Sequence, residues 1–147
     1  MKSRTKKIIG FITILVLAGA AVAWYLFTDT FADTAARKVD YTVEAMDFIK
    51  EFEKDNKLAN QKYTEKIIAV NGTVSEVESA DTTTNIKMIN TESDSYIIFA
   101  FQQQHLDDAK KLNAGDKVSI KGSCSGGTYS EILETELISF KRCAINK

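Results

Sequence analysis

Lys66 to Ser79, KIIAVNGTVSEVES, alternates apolar and polar side chains at a period of two and is rich in Val, Ile and Thr. Such a run reads as one long strand with a single buried face. Gly72 interrupts it, and a glycine inside a strand marks a bulge or a sharp bend. The rest of the chain is best read outward from this bent strand.

Downstream, Ala80 to Thr83 makes a polar turn, Thr84 to Asn90 a second strand, Thr91 to Asp94 another turn, and Ser95 to Phe101 (SYIIFAF) a third strand. Alternation points Ile97, Phe99 and Phe101 inward, leaving Lys87 and Tyr96 as the candidate binding face on the outer side. His105 to Leu112 (HLDDAKKL) turns Leu106, Ala109 and Leu112 to one side of a short helix, which Asn113-Ala114-Gly115 ends, Gly115 suiting the left-handed cap. Lys117 to Gly122 is a fourth strand. A loop follows over 123–130, with a hairpin turn at Gly126-Gly127, and Glu131 to Ile145 holds a fifth strand with a one-residue slip at Lys141-Arg142. Val118, Ile120, Ile138 and Phe140 join the expected core.

Upstream, Tyr41 to Ala59 reads as a helix capped by the Thr42 hydroxyl. Ala45, Phe48, Ile49 and Phe52 share one face, a stripe that packs on its own domain. Helix, three strands, short helix, two strands is the order of a mainly β, five-stranded OB-fold barrel preceded by an α-helix.

Ahead of this domain, Ile8 to Phe27 (IIGFITILVLAGAAVAWYLF) contains no charge. A bilayer core takes about 20 apolar helical residues to cross, so the run reads as a transmembrane helix. Residues 1–28 carry a net charge of +4 and residues 29–147 a net charge of −5. Basic residues stay on the cytoplasmic side, and Trp24, Tyr25 and Phe27 suit the far headgroup layer. The expected organisation is a cytoplasmic basic tail over 1–7, a membrane anchor over 8–27, a tether over 28–40 and an extracytoplasmic domain over 41–147. The competing reading is a secretory signal cleaved after Ala21-Val22-Ala23. Twenty apolar residues ending in bulky aromatics favour the anchor, and both readings export the domain. Leu17-Ala18-Gly19 is followed by Ala20 rather than cysteine, so no lipidation site is expected.

The chemistry-bearing residues are sparse. His105 is the only histidine, and a dyad with Cys124 or Cys143 would need hydrogen-bond reach. Asp107 and Asp108 are neighbours that diverge by about 100° on a helix. The Cys124-Ser125-Gly126-Gly127-Thr128 loop lacks the lysine and the following helix of a phosphate cradle. No spacing suggests a metal site. Neither an enzyme nor a cofactor is expected.

Nucleic acid is disfavoured as a partner: single-strand binders combine a basic groove with exposed aromatics, and this domain is acidic. The expected partners are the lipid bilayer for the helix and an unidentified protein, peptide or oligosaccharide for the domain. An assembly role, with the transmembrane helix pairing through Gly19 and Ala23, is the alternative. For Cys124 and Cys143 two arguments oppose each other. An oxidising compartment favours a disulfide, whereas a hairpin turning at Gly126-Gly127 would carry Cys143 far from Cys124.

Several residues together resemble one family. Asn56-x-x-Ala59-x-x-x-Tyr63-x-x-Lys66, Val70-x-Gly72-x-Val74, Leu112-x-x-Gly115-x-x-Val118-x-Ile120-x-Gly122-x-Cys124 and Ile138-x-Phe140-x-x-Cys143-x-Ile145 are similar to the bacterial tRNA-anticodon-binding-like OB-fold family. The resemblance runs from about Val43 to Ile145. It implies a small exported domain, often lipid-anchored in the family and without an assigned activity, and it supplies no functional residues.

Overall fold

The segment from Ile67 to Ser79 forms two strands rather than one. The structure is a computed structural model that describes residues 2–28 and 32–147, in two units divided between Ala32 and Asp33. In the second unit, β1 (Tyr41–Glu44), α2 (Ala45–Lys54), α3 (Asn56–Tyr63), β2 (Ile67–Thr73), β3 (Glu76–Ser79), β4 (Thr84–Ile89), β5 (Tyr96–Phe101), α4 (Leu106–Lys110), β6 (Lys117–Ser130) and β7 (Thr135–Ile145) follow in order.

The break between β2 and β3 lies at Val74-Ser75, and its hydrogen bonds explain it. The Val74 N–H donates to the Asp116 carbonyl at 2.9 Å, whereas the Ser75 N–H donates to the Lys87 carbonyl at 2.8 Å. Adjacent amides thus turn to different neighbours, one leading into β6 and the other onto β4. Gly72, expected to make the bend, serves close packing instead. A Cβ there would lie 2.7 Å from Met88 Sδ and 2.8 Å from Ala45 Cβ.

One sheet results, in the order β1-β2-β6-β7-β5-β4-β3. The mainly β expectation holds, with a correction to the five-stranded barrel: there are seven strands, and the pairing order is open rather than closed. The two extra strands come from the break at Val74-Ser75 and from β1. Tyr41-Thr42-Val43, read as the start of a helix, are aromatic and β-branched and pair in parallel with Ile68-Ala69-Val70. Glu44, not Thr42, precedes the helix. Asp55 then ends α2 and starts α3, its carboxylate accepting from the Leu58 N–H at 3.0 Å.

The β6–β7 hairpin departs furthest from expectation. β6 continues through the glycines to Ser130, and the turn lies at 131–134. Gly126 (φ +104°) is a bulge within β6, and Arg142 (φ 53°) marks the expected slip in β7. Parallel pairing of β5 with β7 sets Phe99 beside Phe140 and Ile97 beside Ile138.

The core lies between this sheet and α2. Ala45, Phe48, Ile49 and Phe52 are buried as expected, against Ile86, Met88, Ile97, Phe99, Ile120, Ile138 and Phe140, with Val118 partly buried at the margin. The domain begins before Tyr41. A 3-10 turn at Thr34–Ala36 buries Thr34, and buried Lys121 donates to the Ala35 and Arg37 carbonyls at 2.7 and 3.0 Å. Part of the expected tether is therefore packed structure; residues 29–31 lie outside the described residues.

The first unit is α1 (Lys2–Thr28). Within its span Ser3–Leu26 an 18-residue stretch has a mean hydropathy of 2.2, so the helix is long and apolar enough to cross a membrane. Trp24 and Tyr25 are exposed; the Phe27 side chain lies outside the described residues.

Candidate binding face

Alternation along β4 puts Asn85, Lys87 and Ile89 on the outer face, and along β5 it does the same for Tyr96 and Ile98. Register brings Lys87 opposite Ile98 and Ile89 opposite Tyr96, and Tyr96 beside Leu137 of β7. The two residues expected on this face are thus together: Lys87 Nζ lies 5.6 Å from the Tyr96 ring centroid, a cation–π contact.

The same lysine is engaged from the other side. Glu78 Oε1 is 2.5 Å from Lys87 Nζ and Glu76 Oε2 is 3.6 Å away. The hydrogen bond to Glu78 raises the Lys87 pKa, with Glu76 adding to it. Both glutamates are on β3, and β3 pairs with β4 so that Glu76 lies directly opposite Lys87. Two acids against one base leave this part of the face negative. Around it, half-buried Ile89, Ile98 and Leu137 supply apolar surface.

Beyond Ile89 the surface falls into a cleft of about 410 Å³, lined by the start of α2 at Glu44–Asp47 and by Asn71–Thr73. It adjoins a second hollow of about 420 Å³ that reaches Lys117–Ser119. The two share Glu44, Asn71, Gly72 and Thr73. Asn71 Nδ2 donates to Glu44 Oε1 at 3.0 Å, which pins one acidic wall. The sequence pattern does not reveal this groove, because it makes Tyr41–Glu44 the start of a helix, whereas the structure pairs that segment with β2.

The remaining chemistry-bearing residues do structural work. His105 Nε2 lies 2.7 Å from Asp33 Oδ1, and that hydrogen bond lowers the Asp33 pKa. This pair, with the Lys121 bonds, fastens the segment after Ala32 onto the domain. Both cysteines are free and fully buried. Burial pushes the Cys124 thiol up to about 11 and the Cys143 thiol well above its ordinary value, which keeps both in the protonated, unreactive form near neutral pH. Because the turn lies at 131–134, Cys124 pairs with Phe140 rather than with a residue near Glu131. Cys143 sits against Gly122, where an added Cβ would lie 2.5 Å from its Sγ.

Asn56, which opens the motif read in α3, and Asn60 four residues on bind the β6–β7 hairpin. Both side-chain amides donate to the Gly127 carbonyl, at 3.2 and 2.9 Å, and Gly127 N–H donates back to Asn60 Oδ1 at 2.8 Å. Asn56 also donates to Glu136, whose carboxyl is buried and has its pKa raised by that burial. This clasp holds α3 to the hairpin.

Residues 1–135 match the model of the tRNA_anti-like family. No curated protein matches the chain. Among solved structures it is similar to a lipoprotein of Klebsiella pneumoniae named as a presumed nucleic acid binder, with 17% identity and a TM-score of 0.56 over 71% of this chain and 91% of that one. An aspartyl-tRNA synthetase from Entamoeba histolytica is similar with 9% identity and a TM-score of 0.45, over 75% of this chain but only 25% of the synthetase. At 17% identity the likeness to the lipoprotein is one of fold. The family match runs from α1 through β6, over most of the sequence, and the chain belongs to the tRNA_anti-like family.

Proposed function

We propose that this protein is a binding module of the cell envelope: an OB-like domain, anchored by α1 outside the cytoplasm, that takes a protein, peptide or oligosaccharide rather than a nucleic acid. The OB-like reading rests on the segment Ile67–Ser79, whose halves β2 and β3 pair with β6 at one side of the order and β4 at the other. The observation that carries the ligand class is Lys87 held between Glu76 and Glu78. A polyanion gains affinity by releasing counterions to free cations, and this cation is already neutralised by two carboxylates. Apolar Ile89, Ile98 and Leu137 around Tyr96 fit a neutral or cationic ligand better.

The printed name of the Klebsiella pneumoniae lipoprotein favours nucleic acid instead. Fluorescence anisotropy with a labelled single-stranded oligonucleotide and the full chain in detergent separates the two. The expected Kd at physiological salt is weaker than about 10⁻⁴ M, the weak end of non-specific binding. A tighter Kd that weakens steeply with salt would overturn the reading.

Placement outside the cytoplasm is supported by Lys2, Arg4, Lys6 and Lys7 ahead of the apolar span and by the absence of acids there. Alkaline phosphatase fused after Lys147 should be active in intact cells. A fusion made at normal level but inactive would reverse the topology.

A further inference from the structure

The turn between β6 and β7 carries the most exposed apolar side chain among the described residues. Ile132 is 93% exposed and its neighbour Leu133 70%, with Tyr129 at 51% just before the turn. A tip that only had to reverse the chain would carry Gly, Asn or Asp, since these relieve the turn and interact well with water. This tip is built to a fixed shape nonetheless. Ser130 pairs with Thr135 and Tyr129 with Glu136 at its base. Leu133 N–H donates to Ser130 Oγ at 3.3 Å, Thr135 is buried beneath it, and Glu134 closes the turn at φ 54°.

Glu131 and Glu134 flank the apolar pair, and neither takes part in an ion pair within the domain. That charge decides between occupants. Two carboxylates beside Ile132 are repelled by anionic headgroups and are costly to bring toward the acyl region. A protein surface with lysines or arginines around an apolar socket answers both features at once.

We infer that the Glu131–Glu134 tip is a docking knob for a protein partner, with Ile132 and Leu133 seated in an apolar socket and the two glutamates paired with basic side chains on its rim. The inference rests on the binding-module reading and narrows its partner to a protein. Rigid presentation of two apolar anchors at a tip lowers the ordering cost of association, and such anchors at the centre of a contact carry most of its energy.

The experiment places a photoreactive phenylalanine analogue at position 132 of the full-length chain in its native membranes, and in parallel at position 96. Irradiation should give one protein adduct from position 132. Its yield should fall about tenfold with Glu131→Lys and Glu134→Lys together, and fall again with rising salt, as a loss of about 1.4 kcal/mol of pairing would produce. An unchanged unfolding midpoint for the charge-reversed chain confirms that the tip, being exposed, has no folding role. No adduct at 132, adducts to lipid only, or a protein adduct indifferent to charge reversal and salt would each overturn the knob. An adduct from position 96 without one from 132 would do so while leaving the binding-module reading intact.

Discussion

Replacing Phe99 by alanine should cost about 3–5 kcal/mol, as removal of a buried aromatic does. Phe99 has no exposed surface and its ring centroid is 5.1 Å from that of Phe140. It also lies between two strands, opposite Ile86 on β4 and beside Phe140 on β7, so the cavity would open where three strands meet. Phe48 completes the cluster at 5.8 Å from Phe140. Helix and strands would have to move together to refill the space, which keeps the cost at the upper part of that range. Denaturant unfolding should show a lower midpoint with the slope unchanged. A loss below about 1 kcal/mol would mean that the phase of β5 is one residue out.

That phase was legible in the sequence because Ile97, Phe99 and Phe101 alternate with smaller or polar neighbours, and burial follows the alternation. The stripe Ala45, Phe48, Ile49 and Phe52 was legible for the same reason, its spacing being helical. Boundaries set by long-range bonds were not. Tyr41-Thr42-Val43 becomes a strand only because β2 offers an open edge to it. The run breaks at Val74-Ser75 rather than at Gly72, because the two amides answer to Asp116 and Lys87. Gly126-Gly127 has the composition of a turn, yet the chain runs on, since α3 and Phe52 press against those glycines. The candidate face was half legible. Alternation brought out Lys87 and Tyr96, whereas Glu76 and Glu78, which cancel the charge, reach them through the unforeseen strand β3.

Gly127→Ala is the second large effect expected. A Cβ at that position would stand 2.5 Å from Phe52 Cδ1, 2.8 Å from its Cε1 and 2.9 Å from Glu136 Oε1. Phe52 is fully buried, with its ring packed on Phe48 at 5.1 Å, so it has nowhere to retreat. Shifting β6 instead would break the reciprocal bonds between Gly127 and Asn60. Overpacking of this kind costs typically 1–3 kcal/mol, and the lost clasp adds about 1 kcal/mol per hydrogen bond. A loss of 2–4 kcal/mol is therefore expected, about the same order as for Phe99→Ala. Thermal unfolding of the variant checks it: an unchanged Tm would show that α3 and the hairpin are not locked together at this glycine.

The order of strands also governs when this chain can fold. β7, the last strand made, is the partner of both β5 and β6, and β2 must wait for β6 before its Val70 meets Ile120. Phe99 has no Phe140, and Ile97 no Ile138, until β7 has been made. Pairings so distant along the chain must close long loops first, which makes assembly slow relative to a fold of local contacts. A nascent chain stopped short of β7 therefore exposes much of its apolar sheet, and loss of that one strand should act on the entire domain rather than on one edge of it.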